Sequence, residues 1–452
     1  MNIVRPLGDS LSILHAVLVP VRQFARGVRR VLRRQLKPSR DRLLNWFAIT
    51  QRKRLRHVTF IGVTGSCGKT TTTRLVGAVL DSAGQCCIGA GNNSQQAVIK
   101  NILSVSASTK FCIQEVSGSK PGRIARHFRV LKPRIGIVIT IGSDHYKTFR
   151  SLEATAQEKG QLVELLPKTG IAILNADDPH VRAMASRTHA RVITFGRSPD
   201  ADVRATQVSS AWPGRLALTV THGYDSVRIR TKLVAELWTT SVLAAITCGI
   251  VCGIDLKECA KAVENFEPLF GRHSVHVKPN GPVYIFDHKA PFWTIATSLA
   301  FVKDALAPRA TMVFGTISDY PGAAGQRYRR VARDALEIAD RVVFVGPQAG
   351  HVSRLRQGEA RDRLFTFETS YQASAFLAQA VVVGELIYIR GSLAADHLER
   401  IMLSQLDRVV CWRERCGKQC ACVDCSNYRT PKPPPFGLVH DRLKPPQQTA
   451  IA

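Results

Sequence analysis

Residues 57–72, HVTFIGVTGSCGKTTT, constrain this chain more than any other stretch. Val58 to Val63 is an apolar run short enough to be a buried strand. It breaks into Thr64-Gly65-Ser66-Cys67-Gly68-Lys69-Thr70, and a helix-competent segment begins at Thr71. Strand, glycine loop and helix, in that order, are the context in which a phosphate-binding loop works. The glycines let backbone N–H groups turn inward around phosphate oxygens, and the helix N-terminus adds partial positive charge. Lys69 then reaches the β and γ phosphates, and the Thr70 hydroxyl ligates Mg²⁺. The general pattern asks for a glycine where Val63 stands, so the shorter Gly65-x-x-Gly68-Lys69-Thr70 is what this chain retains. Cys67 reads as a small space-filler inside the loop. The stretch is a nucleotide site, with a chance glycine turn as the bland alternative.

Charge narrows the partners. The net charge is +29 over 452 residues, and residues 1–57 hold fourteen Lys and Arg against only Asp9 and Asp41. The rest is spread thinly, which argues against a large nucleic-acid face on the main body. Within residues 1–57, Leu14, Val17, Leu18, Val21, Val28, Val31 and Leu32 recur at helical spacing between arginines. That pattern suits a basic amphipathic helix on an anionic membrane surface, or a helix packed on the main domain with solvated arginines. The apolar run Leu11 to Val21 is about half a membrane span and contains Pro20. Twelve cysteines scattered through an α/β pattern suit a reducing cytoplasm, so the expected location is cytoplasmic, with peripheral attachment at the inner membrane face through residues 1–57.

Residues 58–268 alternate strand and helix as in a parallel sheet covered on both faces. The expected strands are Phe111 to Val116, Ile135 to Ile141, Gly170 to Asn175 and Arg191 to Phe195. Residues 200–232 change to a period of two around Gly214 and Gly223, which predicts antiparallel hairpins, and a helix follows near Ser241 to Val251. Residues 269–405 repeat the α/β pattern, with strands Val283 to Phe286, Thr311 to Phe314, Arg341 to Val345 and Leu386 to Ile389. The fold class is α/β: a central phosphate-loop domain on a parallel sheet, then a smaller Rossmann-like C-terminal domain. Residues 406–452 are cysteine-rich and then proline-rich (PKPPP, KPPQQ), which predicts an extended end.

Glu115 ends one expected strand and His145 follows another. In an open parallel sheet both ends lie on the edge that carries the phosphate loop. Lys159 lies in the helical segment Glu153 to Leu166. Singly these residues read as an exposed Glu, a capping His and a solvated Lys.

Their order, with TGSCGKTTT, Gly91-Asn92-Asn93, the segment QEVSGSKPGRIARHFRVLKPRIGIVITIGSDHYKTFRSLEATAQEKGQL and LPKTGIAILNADDP, resembles the Mur ligase family over about residues 58–405. The similarity is greatest to the branch that adds D-alanyl-D-alanine to the muramoyl tripeptide. The resemblance implies ATP-dependent amide ligation in cell-wall (peptidoglycan) synthesis, through an acyl phosphate and with Mg²⁺. It implies that Lys69 contacts the terminal phosphates, that Thr70, Glu115 and His145 hold magnesium, and that Lys159 is a carbamylated lysine. It places Asn93 in the cleft, Arg272 of Gly271-Arg272 at the γ-phosphate, and Asp287 and Lys289 near the nucleotide. It puts Arg390, in YIRGSLAADHLERI, where the family has a lysine. An Arg390–Asp287 pair could equally be a structural salt bridge.

Departures from the family shape the remaining expectations. Only 57 residues precede the strand, so the UDP-sugar-binding domain has no counterpart and the acceptor is expected to differ. The family's adenine-reading asparagine is replaced by Ser241. An amino-acid or peptide amine and a carboxylate acceptor are the expected substrates, and an amidotransferase partner would also fit. The rival class is a non-catalytic phosphate-loop nucleotide-binding protein, or an ATPase acting on nucleic acid. Cys416, Cys420, Cys422 and Cys425 offer a thiolate set for Zn²⁺, with free thiols as the alternative.

Overall fold

The computed structural model describes residues 40–380, 382–414 and 416–428. The apolar positions from Leu14 to Leu32 and the proline-rich end lie outside them. The chain divides into two compact units. One runs to Thr206 and adds Thr219–Ile229 and Thr239–Phe266; the other takes Gln207–Leu218, Arg230–Trp238 and the chain from Glu267 on. Among the described residues no helix is long and apolar enough to cross a membrane.

In the first unit, β1 (Thr59–Thr64) is buried almost throughout, as a strand covered on both faces must be. The other strands of its sheet are β2 (Cys86–Gly89), β3 (Phe111–Glu115), β4 (Ile135–Val138), β5 (Ile171–Asn175), β6 (Arg191–Gly196), β7 (Val203–Ser209), β8 (Ala217–His222) and β9 (Asp225–Arg230). They lie in the order β2-β3-β1-β4-β5-β6-β7-β8-β9, parallel from β2 through β7. Two residues join β8 to β9, and Gly223 there has φ +59°, so the connection is the expected hairpin. Register aligns Val63 with both Glu115 and Ile137, which brings the carboxyl ends of β3, β1 and β4 to one edge. The helix over 40–54 packs on this unit: Ala48 joins the core around Phe60, and the Arg52 guanidinium lies over the Phe60 ring and donates to Leu131 O.

The second unit's sheet has strands β10 (Arg272–Val277), β11 (Val283–Asp287), β12 (Ala310–Phe314), β13 (Arg341–Val345), β14 (Leu364–Phe367) and β15 (Leu386–Arg390). Their order is β10-β11-β15-β12-β13-β14, with β10 antiparallel and the rest parallel. β2, β10 and β14 have no counterpart among the strands expected from sequence. They are edge strands, short or polar, and they carry a weaker apolar pattern than the buried central ones.

Beneath β12 and β15 the fully buried Glu385 accepts from Arg341 (2.6 Å), Arg309 (2.5 Å), the Thr311 hydroxyl and Val382 N (3.0 Å). Removing it strands the Arg341 guanidinium, which is itself buried. Glu385→Ala is therefore expected to cost ~3–5 kcal/mol of unfolding free energy in chemical denaturation, whereas a loss below about 1 kcal/mol would mean that water replaces the carboxylate.

Candidate active site

The phosphate loop is held from beneath by the segment that follows β4. Ser66 N donates to Thr140 O (2.8 Å), Gly142 N to Ser66 Oγ (2.9 Å), and Cys67 N to Thr140 Oγ1 (3.3 Å). Gly68, with φ +78°, is the N-cap of the helix Lys69–Leu80 and supplies no side-chain cap. The helices starting at Gln95, Leu152, Pro179, Leu256 and Ser370 are capped by Ser94, Ser151, Asp178, Asp255 and Thr369, whereas those starting at Arg123, Tyr146, Ile295, Ala324 and Glu399 share the loop helix's lack of a side-chain cap. The first-turn N–H groups of the loop helix are thus left to an external acceptor. The Thr64 and Thr71 hydroxyls nearby are buried without a partner among the described residues. This donor set fits a nucleotide's phosphates. Lys69 Nζ lies across the loop, donating to Gly65 O at 2.6 Å.

Thr70, next to Lys69, meets a carboxylate held by three donors. Glu115 Oε2 accepts from Thr70 Oγ1 (2.9 Å) and Gly91 N (2.9 Å), and Oε1 accepts from Asn93 Nδ2 (3.0 Å). A hydroxyl and a carboxylate, oriented together beside the loop, are hard oxygen donors of the kind Mg²⁺ prefers. Asn93 therefore touches Glu115, a contact that its place in sequence did not disclose.

A second carboxylate, Asp144, lies within reach of two lysines. Its Oδ2 is 3.7 Å from Lys69 Nζ and 3.2 Å from Lys159 Nζ, and its Oδ1 is 3.6 Å from His145 Nε2. Lys159 is completely buried, and burial, reinforced by Lys69, lowers its pKa to about 8 against the opposing pull of Asp144. Burial would raise the Asp144 carboxyl, but Lys69, Lys159 and His145 outweigh it and hold the pKa at about 2. His145 has φ +54°, a left-handed conformation uncommon for a residue with a side chain. Asp144 was not among the residues singled out from sequence; its position beside His145 was the available signal.

The NADDP stretch that ends β5 braces this region. Asn175 Nδ2 donates to Ile139 O (2.8 Å), and Asp178 Oδ2 accepts from Ile141 N (2.7 Å) while its Oδ1 caps a helical turn. Ser241 is buried, its Oγ 2.9 Å from Thr72 Oγ1, so it fills the space behind the loop and is not exposed to read a base.

Arg272, Asp287 and Lys289 belong to the second unit. Arg272 opens β10. Asp287 is buried and pairs with Arg390 Nη2 at 3.1 Å, and Arg390 also donates to Lys289 O (2.7 Å) and Ser298 Oγ (2.5 Å). Asp287 and Arg390 thus form a buried salt bridge. Lys289 is exposed.

The four-cysteine zinc set is not assembled: among the described residues, no three of these thiols lie within 4.8 Å of one another. Cys416 and Cys422 contact His397 instead, and Cys425 accepts from Lys418 Nζ (3.1 Å). The segment folds back on the second unit because the Arg400 guanidinium donates to Cys411 O (3.3 Å) and Arg413 O (2.8 Å).

Residues 63–249 match the family model of the Mur ligase middle domain. The chain is 32% identical over 300 residues to the UDP-N-acetylmuramoyl-tripeptide–D-alanyl-D-alanine ligase of Mycobacterium bovis, covering 64% of this chain and 58% of that protein. It is 30% identical over 208 residues to the UDP-N-acetylmuramate–L-alanine ligase of Stenotrophomonas maltophilia, covering 46% and 42%. The chain thus spans less than two thirds of these relatives. Among solved structures, MurF from Acinetobacter baumannii has a TM-score of 0.74 at 21% identity, covering 81% of each chain. The MurF ligase of Thermotoga maritima in complex with ADP gives 0.70 at 18%, covering 80% and 82%.

Asp144 generates a pH prediction. Its folded pKa of about 2 lies below the ordinary 3.8, so the carboxylate adds stability above about pH 4 that is lost as pH falls through about 2. The contribution is on the order of 2 kcal/mol. Asp144→Asn is expected to lower stability by that amount at pH 7 and to flatten the acid limb of a urea-denaturation series between about pH 4 and 2. Parallel limbs in the two proteins would contradict the ion pairing.

Proposed function

We propose that this chain, whose residues 63–249 match the Mur ligase middle-domain model, is an ATP-dependent carboxylate–amine ligase, joining an amino-acid or peptide amine to a carboxylate acceptor of the cell envelope. The observation that carries this reading is convergence at one sheet edge. The uncapped loop helix, Lys69, the Thr70–Glu115 pair and the Asp144–Lys159 pair all lie where three parallel strands end. Residues 58–268, apart from Gln207–Leu218 and Arg230–Trp238, which belong to the second unit, then form the ATP-binding domain, and 269–405 the C-terminal domain.

In the proposed reaction a carboxylate oxygen of the acceptor attacks the γ-phosphorus of ATP in line, and the bond to the ADP oxygen breaks. The amine then attacks the acyl carbon of the resulting acyl phosphate, phosphate leaves, and the amine's proton passes to solvent. Lys69 neutralises charge on the transferring group, and the loop N–H groups hold the phosphates in place. Thr70, Glu115, His145 and a carbamylated Lys159 would hold Mg²⁺, which supplies further charge neutralisation. Carbamylation requires the neutral amine, and a buried Lys159 with a pKa near 8 supports it. Arg272 is assigned to the γ-phosphate by resemblance alone.

Attachment of residues 1–57 to the cytoplasmic face of an anionic membrane belongs to the same proposal. Its support is that the helix over 40–54, anchored through Ala48 and Arg52, leaves Leu43, Trp46 and Phe47 exposed beside Arg40 and Arg42. Trp46→Ala/Phe47→Ala is expected to reduce co-sedimentation with anionic vesicles several-fold while leaving the melting temperature within about 2 °C; undiminished binding would refute the attachment at this helix.

Catalysis is tested by ATP turnover against a panel of carboxylate acceptors and amino acids. Lys69→Ala is expected to abolish nucleotide binding. Lys159→Ala is expected to lower ligation by about 100-fold or more without weakening nucleotide binding, and added bicarbonate should not restore it. In the wild type, incorporation of labelled CO₂ should rise with pH and level off above about pH 8. ATP turnover that requires nucleic acid and ignores amines would favour the rival ATPase.

A further inference from the structure

We infer that His397, Glu399 and Cys422 form a metal site of zinc type, which staples the cysteine-rich segment to the second unit. The inference is independent of the ligase reading. His397 and Glu399 flank the start of the helix Glu399–Leu406, and both are buried, with Glu399 fully so. Cys422 comes to them from beyond that helix. One ligand atom from each of the three residues falls within a sphere of mutual distances no longer than 4.8 Å.

The distances match a coordination polyhedron. His397 Nδ1 is 3.4 Å from Glu399 Oε1 and 3.7 Å from Cys422 Sγ. A tetrahedral ion with arms of about 2.0–2.3 Å has edges of about 3.3–3.8 Å, so little movement would separate these side chains from a bound state. A plain His–Glu hydrogen bond does not account for the other carboxylate oxygen. Glu399 Oε2 is buried without a partner among the described residues, an expensive condition for an anion that an ion would relieve. Imidazole, thiolate and carboxylate together suit Zn²⁺ better than Mg²⁺ or Ca²⁺.

A histidine gives a metal only one nitrogen, and the second nitrogen here is occupied. Cys416 Sγ lies 2.9 Å from His397 Nε2, on the far side of the ring from Cys422. With the proton on Nε2 directed at Cys416, the Nδ1 lone pair faces Glu399 and Cys422. Cys416 is thus a positioning residue that selects the tautomer, as outer partners of metal-bound histidines do. Of the four thiols, the geometry makes one a ligand, one an orienting group and two bystanders.

The test uses the full-length protein purified without chelator, with zinc content measured by elemental analysis and affinity by competition. One zinc per chain is expected. Cys422→Ser and His397→Gln should each abolish stoichiometric binding. Cys416→Ser should keep the stoichiometry but lose about 10–100-fold in affinity, and Cys420→Ser/Cys425→Ser should match the wild type. Cobalt substitution should give the near-ultraviolet charge-transfer band of a single thiolate, absent in Cys422→Ser. Because His397→Gln could disturb folding, wild-type melting with and without 1,10-phenanthroline provides a second readout, and a drop with the chelator is expected. Absence of metal with melting indifferent to the chelator would overturn the site. Loss of zinc in Cys420→Ser/Cys425→Ser equal to that in Cys422→Ser would overturn it too, in favour of a four-thiolate site.

Discussion

A single carboxylate, Asp144, sits between the ammonium groups of Lys69 and Lys159, and the architecture of the first unit follows from the need to place it there. Two cations facing one another in a buried site repel unless an anion lies between them. Lys69 comes from the helix after β1 and Lys159 from the helix Leu152–Glu164, so the anion has to arrive on a third segment, the one that follows β4. That segment also carries Thr140 and Gly142, whose groups fix the phosphate loop. The loop's shape and the lysines' charge balance are therefore set by one stretch of backbone. That stretch is fastened in turn by Asn175 and Asp178 at the end of β5.

The consequence is chemical. A fully buried lysine with its carboxylate partner at 3.2 Å is neither an ordinary surface ammonium nor a neutral amine, and its lowered pKa brings the two forms close in energy. The site can hold either an ammonium cation or a neutral amine. Glu115 has no such freedom, because both its oxygens are fixed by Thr70, Gly91 and Asn93. One carboxylate is a rigid oxygen donor; the other is the counter-charge of a pair that can change.

The second unit uses buried charge differently. Glu385 and the Asp287–Arg390 pair are surrounded by donors and acceptors that leave them little freedom, so they brace the sheet. Asp396 accepts from Thr316 N (2.6 Å) and Ser392 N (2.8 Å) and so ties the loops after β12 and β15 together. His397 and Glu399 follow directly on Asp396, which places the cysteine-rich segment against a rigid part of the unit.

Local information was enough for the alternating α/β order, the central strands and the phosphate loop, because each is written in adjacent residues. An apolar run the length of a buried strand, a glycine that adopts φ +78° and a lysine one position later are properties of a short segment. The edge strands β2, β10 and β14 were not legible, since half-exposed positions carry little apolar signal. Nor were the partnerships: Asp144 with Lys159 across the segment that follows β4, Asn93 with Glu115, Ser241 with Thr72 across 169 residues, or His397 with Cys416 and Cys422. Cysteine spacing alone suggested that four thiols would meet, but a buried imidazole divides them. Sequence by itself determined which residues bear charge, thiol or hydroxyl and roughly which strand ends carry them. Only the tertiary structure decided which of them face one another, because an ion pair or a ligand set depends on distance through space, and chain separation does not encode that distance.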